Sequence, residues 1–375
     1  MKINTITCHN VYNVGASLQA YALLTYLKNL GHQVEIIDYQ PGYLADRHKL
    51  LYVGNGKYRK NLLLKCAYLA CKMPQRLSSL SIKNVFDKFH KENYTLTTNM
   101  YRTNDDLKLN LPLADVYFAG SDQIWNTIFE NGKDPAFYLD FAPKESIKSS
   151  YAASFATESL DYKYKDEVSN WLNNLDNIAV REKTGGKILD DIGITNYECV
   201  VDPVFLLDNY FWKKKCKNIS YEEKYLLVYD FDNNYKVEKI SKYIAKKYNL
   251  KIWSVFKSKY ADKQLKNVGP IEFITYIKNA NIVLSNSFHA TAFSIIFNKD
   301  FYVINRNENI NTRMRDLLDS YGILDRIVNN IKDVESSKYI DYRLIAPILE
   351  NEITKSKKYI DSVLEQSEKG RDCVG

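Results

Sequence analysis

Short apolar runs alternate with longer stretches of helical spacing along the whole chain, a rhythm of strands and helices. Residues 2–8 make the first run. After a polar turn at 9–15, Ala20, Leu23, Leu24, Leu27 and Leu30 share one face of a helix that begins near Ser17 and ends at Gly31. Gln33–Tyr39 is the next strand. Strand, helix and strand with short links form a right-handed βαβ unit, the opening of a doubly wound sheet in which ligands meet the carboxyl ends of the strands. Lys, Leu and Tyr at helical spacing make residues 45–110 a helical insertion. Strands are expected again at 114–119, 148–155, 177–180 and 198–201, with helices near 167–175 and 184–192. Asp202-Pro203 stops the last of these strands, because proline holds its predecessor extended.

The rhythm then restarts. Tyr225–Tyr229 reads as a strand, Tyr235–Tyr248 as a helix, 251–255 as a strand and 271–279 as a helix. A short apolar run at 282–284 leads through a polar turn into a helix whose Ala290, Phe293 and Phe297 recur at i, i+3 and i+7, and a strand at 301–304 precedes a helix carrying Arg313 and Arg315. Repetition on either side of a linker at 206–223 predicts an α/β protein of two Rossmann-like domains, residues 1–205 and 224–338, facing a cleft. A C-terminal helix over 339–366 and a disordered tail over 367–375 complete the expected organisation.

Length agrees with that division, since 375 residues exceed one ordinary core. A hydrophobic content of 45% and a charged content of 26% are those of a globular protein. The six cysteines form no CxxC pair and no zinc-spaced cluster, which favours a reduced cytoplasm over a disulfide framework and gives no metal site. No signal peptide and no bilayer-spanning run are expected. The net charge of +7 is spread along the chain, so nucleic acid is not an expected partner. A basic face would instead suit phosphorylated substrates or peripheral contact with an anionic membrane surface.

Candidate chemistry gathers where strands end. Ser285, Asn286 and Ser287 lie beside the first-turn N–H groups of the helix that carries His289, a position that favours a phosphate or carboxylate. Plain helix capping by Ser285 or Ser287 would satisfy the same pattern. Gly120 ends a strand and permits a close ligand approach, and Ser121, Asp122, Gln123, Trp125 and Asn126 follow it. These read either as an Asx-type turn or as a sugar site in which Asp122 and Gln123 bond hydroxyls and Trp125 supplies an apolar face. Arg181 closes a buried strand, where its planar fork would grip carboxylate or phosphate, or else pair with Glu182 or Asp202.

Taken in order, Asn13 to Gly15, Gly120 to Asn126, Val180-Arg181-Glu182, Val201-Asp202-Pro203 and Ser285 to Ala290 resemble the polysaccharide pyruvyl transferase family. The resemblance implies a fold like the two-domain GT-B glycosyltransferases. It also implies transfer of the enolpyruvyl carbons of phosphoenolpyruvate (PEP) onto two hydroxyls of a sugar as a cyclic ketal, with release of phosphate. Arg181 matches the family's PEP-binding arginine and His289 its histidine. Many members carry Arg where this chain has Ser287, so Arg306 or Arg313 is expected to supply that charge. Ser285, Asn286 and Ser287 complete the PEP side, in the second domain; Asn13, Gly15, Ser121, Asp122, Gln123 and Trp125 form the acceptor side, in the first. His289 is either the acid that protonates the methylene carbon or a ligand of the phosphate; Asp122, with Glu182 as second choice, is the expected base. PEP would be a substrate with no separate cofactor. The acceptor would be a sugar of a lipid-linked oligosaccharide, a galactose or N-acetylhexosamine, met at the cytoplasmic membrane face. A nucleotide-sugar glycosyltransferase and a non-catalytic carbohydrate-binding protein of capsule assembly are the rival readings.

Overall fold

A computed structural model describes residues 1–46, 49–54, 56–307 and 310–372. In the first half, β1 (Lys2–Ile6), β2 (Gln33–Tyr39), β3 (Leu96–Tyr101), β4 (Val116–Ala119) and β5 (Ile147–Ser150) form a parallel sheet in the order β3-β2-β1-β4-β5. The short pair β6 (Ala179–Val180) and β7 (Glu198–Cys199) continues it beyond β5 through bridges from Ser149 to Asn177 and from Ala153 to Val180. The second half repeats the winding with β8 (Tyr225–Tyr229), β9 (Lys251–Ser254), β10 (Lys263–Gln264), β11 (Ile282–Ser285) and β12 (Asp300–Val303), ordered β10-β9-β8-β11-β12 and again parallel. This is the expected pair of Rossmann-like units. Every residue of β4, β8 and β11 is buried, as a parallel strand covered on both faces requires, and that is why these segments stand out as unbroken apolar runs.

In each sheet the strand order reverses beside its first strand, so a crevice opens at the carboxyl ends of β1 and β4 and of β8 and β11. The residues just beyond β4 and β11 are those around Asp122 and His289. The two crevices therefore face each other across the cleft.

Four expectations need correction. The segment 45–110 is not helical throughout: after the helix Leu80–Asn93 it supplies the edge strand β3, and the helix Asn104–Leu109 follows. Only Thr97 and Tyr101 of that strand are buried, so an edge position leaves it without the apolar run that marks a central strand. The two-residue β10 escaped notice for the same reason. The first helix is Val14–Asn29 rather than starting near Ser17, because Asn13 accepts hydrogen bonds from the N–H groups of Gly15 and Ala16 and caps it early. The last helix runs Tyr342–Asp372, so the tail from 367 is helical as far as it is described, and 373–375 lie outside the described residues.

That last helix is held to the first domain. Tyr359 Oη donates to the Ser150 carbonyl at 2.9 Å, and the Val201 N–H donates to Ser356 Oγ at 2.9 Å. Asn177 Nδ2 reaches Gln366 Oε1 at 2.7 Å, which anchors the helix close to its end. The linker is also ordered, since it contains the helix Asn209–Lys215, whose buried Trp212 meets Phe293 edge-on at 4.9 Å.

Candidate active site

His289 sits in the first turn of the helix Phe288–Ile296, directly after β11. Ser287 is its N-cap and accepts from the Ala290 N–H, while Ser285 Oγ accepts from the Ser287 N–H at 2.9 Å. Asn286 clamps the neighbouring loop, accepting from the Phe231 N–H at 3.0 Å and donating to Asp230 Oδ1 at 2.7 Å. The polar turn is thus a scaffold that aims the imidazole across the cleft. There the ring packs on Gly15 at the start of the first helix, so closely that a Cβ at Gly15 would lie 2.1 Å from His289 Nδ1. Gly15→Ala should leave the helix intact, since alanine favours it, while displacing the imidazole. We expect helix content by circular dichroism to be retained while activity falls about 100-fold.

Arg181 lies at the end of β6 and its fork spans two carboxylates of the same domain. Nη1 donates to Asp202 Oδ2 at 2.6 Å and Nη2 to Asp122 Oδ1 at 3.2 Å, while Nε stands 3.8 Å from Glu182 Oε2. Burial opposes the charge on Arg181, but Asp202, Asp122 and Glu182 together hold its pKa above the ordinary value. From the second domain, Arg313 Nη1 reaches the same Asp122 Oδ1 at 3.0 Å. Desolvation, with Arg181 close by, pulls Arg313 down to about 10 against the opposing pull of Asp122, Glu182 and Asp202. Both guanidinium groups lie over the ring of Phe288, at 4.5 Å for Arg181 and 5.7 Å for Arg313.

Asp202 joins the two halves of the site. Its Oδ2 takes the Arg181 bond and stands 3.6 Å from His289 Nε2. Burial raises its pKa, but His289 and then Arg181 more than offset this and hold the carboxyl well below the carboxylate range. Arg181 and His289 therefore meet on one buried carboxylate oxygen of the protein itself. They do not line one cavity. His289, Asp122, Asn13, Gln123 and Arg306 border a pocket of about 260 Å³, whereas Arg181, Asp202, Glu182 and Glu352 border another of about 210 Å³. Phe288 and Arg313 form the partition, because they border both.

Other expected site residues separate into lining and framework. Asn13, Gln123, Asn286, Ser287, Arg306 and Arg313 border the larger pocket. Arg306 Nη2 lies 3.3 Å from Asp232 Oδ1 at its rim. Ser121 is fully buried and donates to the Ala152 carbonyl at 3.1 Å, so it does not face an acceptor. Gly120 admits the Tyr151 carbonyl rather than a ligand, since a Cβ there would meet that oxygen at 2.1 Å. Trp125 lies furthest from its expected place. It is 0% exposed, donates Nε1–H to the Phe137 carbonyl at 3.0 Å and stacks on Tyr138, so it offers no face to a sugar. Trp125→Phe should cost about 1–3 kcal/mol in urea unfolding while leaving the acceptor KM unchanged; a raised KM at parental stability would return Trp125 to the site.

Asp122 is 18% exposed at its side chain and has a positive φ of 74°. Burial raises its pKa, but Arg181 and Arg313 bring it below the ordinary range, so in this state it is a weak proton acceptor. Glu182 Oε1 is occupied by Ser154 Oγ and the Ala156 N–H, at 2.7 and 3.0 Å. Sequence reasoning left Asp202 and Phe288 out of the site. The signal for Asp202 was its place before Pro203 in an ordered set of motifs; Phe288 had none beyond its position next to His289. Among the described residues no group of three or more His, Cys, Asp and Glu is arranged to hold a metal, and no helix is long and apolar enough to cross a membrane.

Solved structures similar to this one have the same two-domain fold. UDP-N-acetylglucosamine 2-epimerase from Rickettsia bellii aligns over 98% of this chain and 97% of its own, with a TM-score of 0.54 and 12% identity. MnaA from S. aureus, solved with UDP, aligns over 93% and 90%, with a TM-score of 0.52 and 14% identity. At such identities the likeness shows a GT-B-like fold and nothing of the reaction. Comparison with curated proteins by sequence returns no match. The profile of polysaccharide pyruvyl transferase matches residues 13–308, from the cap of the first helix to beyond Arg306, and the chain belongs to that family.

Proposed function

We propose that this protein transfers the enolpyruvyl group of PEP onto two hydroxyls of a sugar, forming a cyclic pyruvate ketal and releasing phosphate. One observation carries the reading. His289 and Arg313 border one pocket of about 260 Å³ from either side of Phe288, and Arg313 Nε is buried without a hydrogen-bond partner among the described residues. A buried donor without a partner is costly, and a small ligand bearing both carboxylate and phosphate is the kind of group that would satisfy it. Arg306, at the rim of the larger pocket, adds charge on the same side.

The chemistry follows from these residue types. His289 delivers a proton to the methylene carbon, which becomes the methyl group and leaves C2 electrophilic. One sugar hydroxyl adds to C2 and loses its proton. Phosphate then departs with the C2–O bond electrons, and the second hydroxyl closes the ring with loss of its own proton. Asp122 has a switchable part in this scheme. While Arg181 and Arg313 hold it, it is a weak base; as PEP draws Arg313, which borders the same pocket, to its own oxygens, the carboxyl regains proton affinity and accepts the hydroxyl proton. PEP is the donor substrate and no separate cofactor is invoked. A lipid-linked oligosaccharide at the cytoplasmic membrane face is the proposed acceptor class.

The test incubates the protein with PEP and galactoside or N-acetylhexosamine acceptors in D2O. The expected product carries a pyruvate ketal with one deuterium in its methyl group, with one phosphate released per ketal. Phosphate or nucleotide release with UDP-sugars alone, and no ketal with PEP, would reject the proposal.

A further inference from the structure

We propose that the helix Leu62–Ser78 is a docking element for an anionic bilayer surface, lying in the membrane interface with its apolar face toward the lipid. No residue of this helix is buried. At 100° per residue Leu62, Leu63, Cys66, Ala70, Pro74 and Leu77 fall within an arc of roughly 120°. That arc is the solvent side, with Leu62 at 75%, Leu63 at 80% and Leu77 at 52% exposure. An apolar helix face of this size turned outward is the reverse of ordinary packing. Arg76 Nη2, just outside one edge of that arc, donates to the Tyr52 carbonyl at 2.6 Å and ties the helix to the preceding segment with the arc turned outward.

Charge selects the occupant. Between Asp46 and Asp87 the chain has no acidic residue, yet it contains Lys49, Lys57, Lys65, Lys72, Arg76 and Lys83. An apolar stripe flanked by cations matches lipid tails beneath anionic headgroups, each cation near such a surface adding to the attraction. A second copy meeting this face across a two-fold axis would instead press cations against cations.

Placement connects this surface to the site. The excursion leaves the carboxyl end of β2 and returns as β3, on the side of the first sheet that bears Asn13 and Asp122. Its following helix, Leu80–Asn93, is tied to the first helix by Ser17 and His90 at 2.9 Å and to the second domain by Ser81 and Asn267 at 2.7 Å. Docking through Leu62 and Leu63 would therefore hold the cleft beside the membrane. The benefit to catalysis rests on the lipid-linked acceptor proposed above; the docking itself does not.

Sedimentation of the full chain with phosphatidylglycerol-containing vesicles and with pure phosphatidylcholine vesicles tests it. Partition into the anionic pellet is expected, with at least a tenfold loss for Leu62→Glu combined with Leu63→Glu and for Lys65→Glu combined with Lys72→Glu. Ketal formation on a soluble glycoside should be unchanged in both variants, which separates docking from chemistry. Vesicle binding without any PEP turnover would support docking and sink only the catalytic reading. A chain that stays in the supernatant with anionic vesicles overturns the inference, as does a dimer by light scattering that the leucine substitutions convert to monomer.

Discussion

Arg181→Met will lower unfolding stability by about 3–5 kcal/mol in urea and abolish phosphate release. The cause is electrostatic. Asp202 and Glu182 are buried beside this guanidinium, and its removal leaves them without their nearest cation within the domain. The loss has a pH signature. Asp202 has a folded pKa below its unfolded value, so its contribution is present above the unfolded carboxylate pKa of about 3.9 and is lost as pH falls through the folded value. The gap between variant and parent should therefore be widest near neutrality and shrink in acid, where a protonated Asp202 no longer needs a partner. Arg181→Lys should recover part of the stability but little activity, remaining about 100-fold down, because an ammonium cannot span Asp202 and Asp122 as the fork does. A parental urea midpoint for the methionine variant would show that the three carboxylates do not depend on Arg181.

His289→Gln should behave differently, keeping the fold and losing kcat by about 10²–10⁴. Its Nε2 stands 3.6 Å from Asp202 Oδ2, beyond hydrogen-bond range, and Arg181 still holds that carboxylate at 2.6 Å in the variant. The split between kinetic constants decides its role. A fall in kcat at a steady KM for PEP marks the proton donor, and a raised KM with kcat preserved marks a phosphate ligand. Parental kinetics in both constants would remove His289 from the reaction and leave the two arginines as an anion clamp alone.

Much of this arrangement is legible in the sequence, for a physical reason. Central parallel strands are buried on both faces, so 225–229 and 282–285 announce themselves as apolar runs, and polar residues clustered just beyond a run mark the carboxyl ends where ligands bind. Edge strands lack that signature; β3, with Thr98, Asn99 and Met100 all exposed, was absorbed into a helical reading. Side-chain roles were harder to see. Trp125 and Asp122 are near neighbours in an equally suggestive motif, yet one is sealed against Tyr138 and the other is gripped by two arginines.

The sequence by itself determined the two repeated α/β units, the strand ends at which chemistry could occur, and the family, because each depends on local pattern and ordered motifs. Only the tertiary structure decided that Asp202 sits between Arg181 and His289, that Phe288 and Arg313 divide two pockets, and that Gly15 receives the imidazole. Those relations join residues from opposite domains. Burial and cross-cleft distance set their charges and contacts, and neither quantity is encoded in spacing along one chain.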